Sequence, residues 1–310
     1  MPSEFEIIRR FFDRPAASAL LGVGDDAALL AARPGTQLAV STDLLLEGRH
    51  FRAGADPRKL GHKALAVNLS DMAAMGATPR WATLAIALPA ADEVWLAAFA
   101  EGLFALAARY GTELVGGDTT RGPLAICITI LGEVPAGAAL LRSGARCGDD
   151  LWVSGELGGA ALALVHPEIA AAAARLDQPE PRVALGERLR GVASAAIDVS
   201  DGFAQDLGHI LERSACGARV DYERLPRAAA FAGLADATLE RDCVLGGGDD
   251  YELLFTAPPS ARGAIETLGR DLGLALTRVG SIVPGEATLD LRDAAGRTMA
   301  PARGFDHFAS

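Results

Sequence analysis

Lysine is almost missing from this chain: Lys59 and Lys63 are the only two in 310 residues, and arginine supplies the rest of the positive charge. A compositional bias produces the same excess, so it singles out no arginine. The four cysteines, Cys127, Cys147, Cys216 and Cys243, lie far apart without a C-x-x-C pair. That excludes zinc-ribbon spacing and reads as reduced thiols. No apolar run is long enough to span a bilayer, so no membrane partner is expected. Met1–Arg14 alternates charged and apolar residues, unlike a secretory signal, and a cytoplasmic location is expected. A net charge of −11 without a basic stripe excludes nucleic acid as partner. Neither G-x-x-x-x-G-K-[ST] nor H-R-D and D-F-G occurs, which excludes a P-loop and a protein-kinase site.

What is present is a core-forming composition, half hydrophobic and 22% charged. At this length two domains are expected. An amphipathic stretch around Phe5, Ile8, Phe11 and Phe12 leads into a glycine turn at Gly22–Asp26. Strands are predicted at Gln37–Ser41, Trp81–Leu88, Glu113–Val115 and Leu124–Glu133, with helices over Pro57–Met75 and Asp92–Tyr110. The run with Pro135, Gly137, Gly144 and Gly148 reads as a linker, which puts the boundary between 1–137 and 138–310. Beyond it, helices are predicted at Gly159–Val165, Arg182–Ala193, Phe203–Ser214 and Ser260–Leu272. Strands are predicted at Asp150–Ser154, Ala196–Val199, Ala218–Tyr222, Tyr251–Thr256 and Leu276–Ile282. The fold class is α+β.

Six acidic motifs punctuate this pattern: Gly24-Asp25-Asp26, Ser41-Thr42-Asp43, Asn68-Leu69-Ser70-Asp71, Gly116-Gly117-Asp118-Thr119, Asp198-Val199-Ser200-Asp201-Gly202 and Gly247-Gly248-Asp249-Asp250. Asp43 and Asp118 are expected just after strands, and Asp198 and Asp201 where a strand passes into a helix, places that commonly build sites. Any one of them alone reads equally as a helix cap or a turn. Six in one chain point to a shared site of hard oxygen ligands, the kind Mg2+ takes. Two like charges 4 Å apart repel by roughly 4 kcal/mol at an effective dielectric of 20, so clustered aspartates facing a polyphosphate require cations between them.

These motifs, with Lys63–Asp71, Gly116–Gly122, Gly247–Leu253 and the closing Gly304-Phe305-Asp306-His307-Phe308, resemble the thiamine-monophosphate kinase family over nearly the whole chain and in order. The resemblance implies the two-domain α+β fold of the aminoimidazole ribonucleotide synthetase superfamily. An N-terminal mixed-sheet domain would bind ATP and metal and pair in a homodimer, and a C-terminal α+β domain would close the cleft. The implied reaction is ATP-dependent phosphorylation of thiamine phosphate to thiamine diphosphate, with several Mg2+ ions and room for a monovalent cation.

Carried over residue by residue, the resemblance implies metal ligation by Asp26, Ser41, Thr42, Asp43, Asp71, Asp118, Asp198 and Asp201. It implies ATP contacts from Gly117, Asp118, Arg142 and Ser200, and substrate contacts from His50, Asp249 and Phe305. Asp43, Asp118 and Arg142 would act most directly in transfer. The family usually has Glu where Asp249 stands, so a water or Asp250 is the alternative contact there. Lys63 would approach Asp71 along its helix or else be solvated. The alternatives are another ATP-using enzyme of the superfamily, akin to aminoimidazole ribonucleotide synthetase, or a non-catalytic nucleotide or metal sensor. Selenophosphate synthetase would need an N-terminal cysteine, and none precedes Cys127. The hydrogenase-maturation relatives would need a C-terminal one, and the chain ends Phe308-Ala309-Ser310.

Overall fold

The computed structural model describes residues 2–301 with Gly304 and Phe305; Asp306, His307 and Phe308 of the closing motif lie outside the described residues. The chain divides into two units, Met1–Met72 with Ala77–Gly137 and Ala73–Gly76 with Ala138–Ser310.

The first unit opens with α1 (Glu4–Ile7), started by a Ser3–Glu6 capping box and continued by a π-helical turn over Ile8–Phe12. Then follow β1 (Thr36–Leu46), α2 (Pro57–Ala74), β2 (Thr78–Leu88), α3 (Glu93–Tyr110), β3 (Glu113–Arg121) and β4 (Ala125–Pro135). Asp92 starts α3 by accepting the amides of Val94 and Trp95, and Gly111 ends it in the left-handed region at φ 62°. The strands form one sheet in the order β1-β4-β2-β3, parallel only between β2 and β3.

Two expectations about this sheet are corrected. Asp43 and Asp118 do not follow their strands; they lie inside β1 and β3. Both are edge strands. A strand paired on one side tolerates polar residues and glycine that a central strand excludes, so pairing runs on through Ser-Thr-Asp and Gly-Gly-Asp-Thr.

The pleat divides the sheet into two faces. Ile126, Ile128 and Ile130 of β4 are buried, and Met72 of α2 covers Gly132 so closely that an added Cβ would lie 2.7 Å from its sulfur. Burying each isoleucine stabilises the unit by roughly 2 kcal/mol. Gly61 and Gly102 let α2 and α3 cross, since a Cβ at Gly102 would meet the Arg58 carbonyl oxygen at 1.8 Å. On the other face, Leu38, Val40, Leu44 and Leu46 of β1 are exposed.

The second unit contains β5 (Asp150–Ser154), α4 (Gly159–Val165), α5 (Ala170–Asp177), α6 (Val183–Leu189), β6 (Ala195–Asp198), α7 (Phe203–Ser214) and β7 (Gly217–Asp221). It continues with α8 (Ala237–Gly246), β8 (Leu253–Ala257), α9 (Arg262–Leu272), β9 (Leu276–Val283) and β10 (Leu289–Arg292). The sheet order is β10-β7-β9-β5-β8-β6, parallel only between β10 and β7. Central β5 and β8 are buried along their whole length. On α7, Phe203, Leu207, Ile210 and Leu211 form the apolar stripe, packed with Ile197 and Val244.

The helix expected over Arg182–Ala193 stops at Leu189, ahead of Gly191 at φ 73°. The strand expected from Tyr251 begins at Leu253 because Tyr251 is left-handed, at φ 51°. Among the described residues no helix is long and apolar enough to cross a membrane.

Candidate active site

The acidic positions of the first unit fall on both faces of its sheet. Residues of a strand alternate sides, so Ser41 and Asp43 share the helix-covered face with Ile128 and Ile130. There the Ser41 hydroxyl donates to Asp71 Oδ2, on α2, at 2.5 Å. The Thr42 hydroxyl lies on the opposite face, 2.8 Å from that of Thr129. Asp118 is in register with Ala85, Cys127 and Leu44, which puts it on that opposite face too. The structure thus joins Ser41 to Asp71 and sets Thr42 and Asp118 across the sheet from them. Burial first and the charge of Asp43 second push the Cys127 thiol up from its ordinary range.

The other first-unit positions are local. Asp26 is exposed, and its amide donates to Asp25 Oδ1 at 2.9 Å. His50 turns its Nδ1 back to accept the Leu46 amide at 3.0 Å, which fixes the ring just after β1. Gly117, at φ 148°, passes so close to β2 that a Cβ would meet the Leu84 carbonyl oxygen at 1.8 Å. Strand pairing alone therefore demands glycine at this position. Lys63 is buried, which rules out the solvated alternative.

In the second unit one loop gathers most of the assigned residues. Asp198 ends β6 and is buried; Val199–Gly202 then leads into α7, with Gly202 at φ 121° and no room for a Cβ beside Gly246. Asp206, a buried carboxylate on the first turn of α7, accepts three successive amides through Oδ2: Ser200 at 3.0 Å, Asp201 at 3.1 Å and Gly202 at 3.1 Å. The loop carbonyls face other partners. Val199 accepts the Tyr251 amide at 2.8 Å, Ser200 that of Asp249 at 2.9 Å, and Asp201 that of Phe305 at 2.9 Å. Two of the three residues assigned to substrate thus hang on the loop that carries Asp198, Ser200 and Asp201. Arg142 lies on a separate loop, where its carbonyl accepts the Ser214 hydroxyl at 3.2 Å.

Asp249 is left-handed at φ 65°, a conformation Asp adopts more readily than most residues, and the Tyr251 hydroxyl donates to its Oδ1 at 2.8 Å. Asp250 cannot replace it as a substrate contact. It is buried and accepts the Gly158 amide at 2.7 Å through Oδ2, while Oδ1 has no hydrogen-bond partner among the described residues. Burial pushes its pKa up to about 8. Two residues on from it, buried Glu252 receives Arg175, Arg182 and the Ser154 hydroxyl.

Asp206 titrates at about 7, raised by burial first and then by the charge of Asp198, with its amide donors pulling the other way. Among the described residues no three His, Cys, Asp or Glu side chains form a group that could hold a metal ion. The donor chemistry nevertheless fits a hard divalent cation. Carboxylate and hydroxyl oxygens meet at Ser41 and Asp71, and the mutual repulsion of Asp198, Asp201 and Asp206 is charge that a cation would relieve.

Sequence reasoning missed Asp206 and Glu252. Asp206 had a legible signal, an acidic residue on the apolar stripe of a helix between Phe203 and Leu207. Glu252 had none, because Arg175 and Arg182 lie 77 and 70 residues away in the chain.

Residues 24–134 match the family model for the AIR synthase related protein, N-terminal domain, which defines the class of the first unit. Along its whole length the chain is 46% identical to the thiamine-monophosphate kinase of Salmonella typhimurium, over 321 aligned residues covering 99% of this chain and 98% of that one. Its fold matches the crystal structure of thiamine-monophosphate kinase from Stenotrophomonas maltophilia K279a with a TM-score of 0.85, at 47% identity, covering 94% of this chain and 95% of that one. A structure of AaThiL complexed with AMPPCP and TMP matches with a TM-score of 0.78 at 30% identity, covering 90% and 89% of the two chains. The chain belongs to the thiamine-monophosphate kinase family, a family of phosphotransferases.

Proposed function

We propose that this protein transfers the γ-phosphoryl group of ATP to thiamine phosphate, giving thiamine diphosphate and ADP. The observation that carries this reading is end-to-end identity of 46% to a thiamine-monophosphate kinase. Support comes from a relative of like fold that binds an ATP analogue together with TMP, and from the single loop that here joins Asp198, Ser200 and Asp201 to Asp249 and Phe305.

A phosphate monoester has its second pKa near 6, so the acceptor is already mostly a dianion at pH 7 and needs no protein base. One of its oxygens forms the new bond to the γ-phosphorus while the bond to the ADP oxygen breaks in line. The chain's part is alignment and charge compensation. Ser41, Asp43 and Asp71 on the helix-covered face of the first sheet, Thr42 and Asp118 on its opposite face, Asp26 in its exposed turn, and Asp198 and Asp201 in the second unit are the residues that would hold Mg2+, as several ions, whose role when bound is to neutralise phosphate charge. Gly117, Asp118, Arg142 and Ser200 are assigned to ATP, with Arg142 as a fixed cation suited to phosphate oxygens. His50, Asp249 and Phe305 are assigned to the acceptor. An aromatic ring at Phe305 suits the positively charged thiazolium.

The pairing unit is a homodimer. Support for this lies in the face of β1, an edge strand on which Val40 and Leu44 are 60% and 50% exposed beside Leu38 and Leu46. A row of large apolar side chains on an open sheet face marks an association surface.

Purified protein given ATP, Mg2+ and either thiamine phosphate or free thiamine tests the reaction, with thiamine diphosphate expected from the first acceptor and no product from the second. Phosphorylation of free thiamine alone, or no transfer at all, would overturn it. Asp43→Asn and Asp71→Asn are expected to lower turnover at least about a hundredfold.

A further inference from the structure

Gln205 is half-buried on the first turn of α7, beside the Asp206 cap, and nothing assigned so far uses it. Its side-chain amide donates to two groups at once, Asp201 Oδ2 at 3.2 Å and the Phe305 carbonyl oxygen at 3.0 Å. The Phe305 amide in turn donates to the Asp201 carbonyl at 2.9 Å. Three hydrogen bonds therefore close a ring through Asp201, Gln205 and Phe305, residues drawn from a loop, a helix and the distant end of the chain. The approach is tight: a Cβ added at Gly304 would lie 2.4 Å from Gln205 Oε1 and 2.9 Å from the Asp201 carbonyl oxygen. Only glycine lets the chain pass there.

We propose that Gln205 is a positioning residue for the acceptor, holding the Phe305 segment in register with the Asp198–Gly202 loop so that the aromatic ring stands where the thiazolium is to be received. The inference rests on the acceptor reading given above, since it takes Phe305 as the thiazolium contact. The ring of bonds is local and asymmetric. Phe305 is 40% exposed, and both of its backbone polar groups are tied, the amide to the Asp201 carbonyl and the carbonyl to the Gln205 side chain. Backbone held by side-chain donors moves when the donors are removed, while Asp206 continues to hold the loop from the other side.

Gln205→Glu keeps shape and volume but removes both donors and faces two acceptors with a third. Gln205→Ala removes the side chain, and Gly304→Ala leaves Gln205 in the sequence but drives a Cβ against its side chain and so displaces the segment. All three are expected to raise the KM for thiamine phosphate about tenfold, with kcat and the KM for ATP changed by less than about twofold. Hydrogen exchange on the full-length protein is expected to show faster exchange at the Phe305 amide in each variant, with the amides of Ser200, Asp201 and Gly202 still protected. An unchanged acceptor KM, equal rises in both KM values, or unaltered exchange at Phe305 in Gln205→Glu would overturn the proposal. The exchange measurement needs no turnover. A wild-type protein that fails to phosphorylate thiamine phosphate therefore removes the function reading while the clamp is still judged on its own.

Discussion

Asp206 holds Ser200 from beneath: one carboxylate oxygen accepts its amide at 3.0 Å and those of the next two residues at 3.1 Å. Water cannot replace the Gly202 bond, because Asp206 and Gly202 are both buried, and the bonds to Ser200 and Asp201 are half-buried. Removing the acceptor leaves donors unsatisfied, each at a cost of about 1–3 kcal/mol. Asp206→Ala is therefore expected to lower unfolding stability by about 3 kcal/mol in urea, and Asp206→Asn, which keeps one oxygen in place, by much less. Equal midpoints for Asp206→Ala and wild type would show that the loop holds itself.

Asp250 gives the stability a pH dependence of its own. Its folded-state pKa is raised from 3.8 to about 8 by burial, so in the unfolded chain it ionises near pH 4 while in the folded protein it keeps its proton. The unfolded state then binds fewer protons, and stability falls as pH rises from about 4 to about 8. Carboxylates held low by arginine, such as Asp150 beside Arg262 and Arg278, act in the opposite sense and have finished titrating by about pH 5. Between pH 5 and 8 the stability difference between wild type and Asp250→Asn is expected to move steadily in favour of the variant. Denaturation series at pH 5, 6.5 and 8 measure it, and parallel curves for the two proteins would refute the assignment.

Most of this scaffold was legible because its signals are local. The helices at Gly159–Val165 and Phe203–Ser214 and the strand at Asp150–Ser154 follow apolar period, and Gly111 marks the end of α3. What stayed hidden was set by partners far away in the chain. α5 starts in an alanine run without periodicity or a side-chain cap. β3 outlasts its apolar residues because β2 pairs with Gly116–Arg121. The exposed row on β1 could not be seen in advance, since alternation fixes which residues share a face but not whether that face is covered. The same limit applies at the site: Asp43 and Asp118 belong to similar motifs, and only the register places them on opposite sides of a sheet.

Gly116 and Gly117 stand side by side in one motif but answer to different constraints. A Cβ at Gly117 would meet the Leu84 carbonyl oxygen at 1.8 Å, in a backbone conformation at φ 148° that other residues rarely adopt. At Gly116 its nearest neighbour would be Thr83 Cγ2 at 3.9 Å, an ordinary contact. Gly117→Ala is expected to cost about 2–4 kcal/mol and to part β3 from β2, whereas Gly116→Ala should change stability by less than about 1 kcal/mol. Thermal unfolding of the two variants separates them, and equal melting temperatures would mean that the close approach to Leu84 does not govern this strand.

The resemblance read from the sequence implies Glu where Asp249 stands, and the backbone there determines how far a substitution can go. At φ 65° it occupies the left-handed region, which Asp visits more readily than a longer side chain such as Glu. The Tyr251 hydroxyl, now 2.8 Å from Oδ1, would have to follow a carboxylate moved outward by one methylene. The hydrogen bond that its backbone N–H donates to the Ser200 carbonyl is unaffected by side-chain length, so the residue stays tied to the loop. Asp249→Glu is thus expected to lower the melting temperature by a few degrees while leaving the KM for thiamine phosphate within about threefold of wild type, or below it. Asp249→Ala, which loses the carboxylate and keeps the backbone tie, is expected to raise that KM about tenfold or more with the KM for ATP little changed. A Glu variant as impaired as the Ala variant would show that carboxylate position, and not merely its charge, decides acceptor binding.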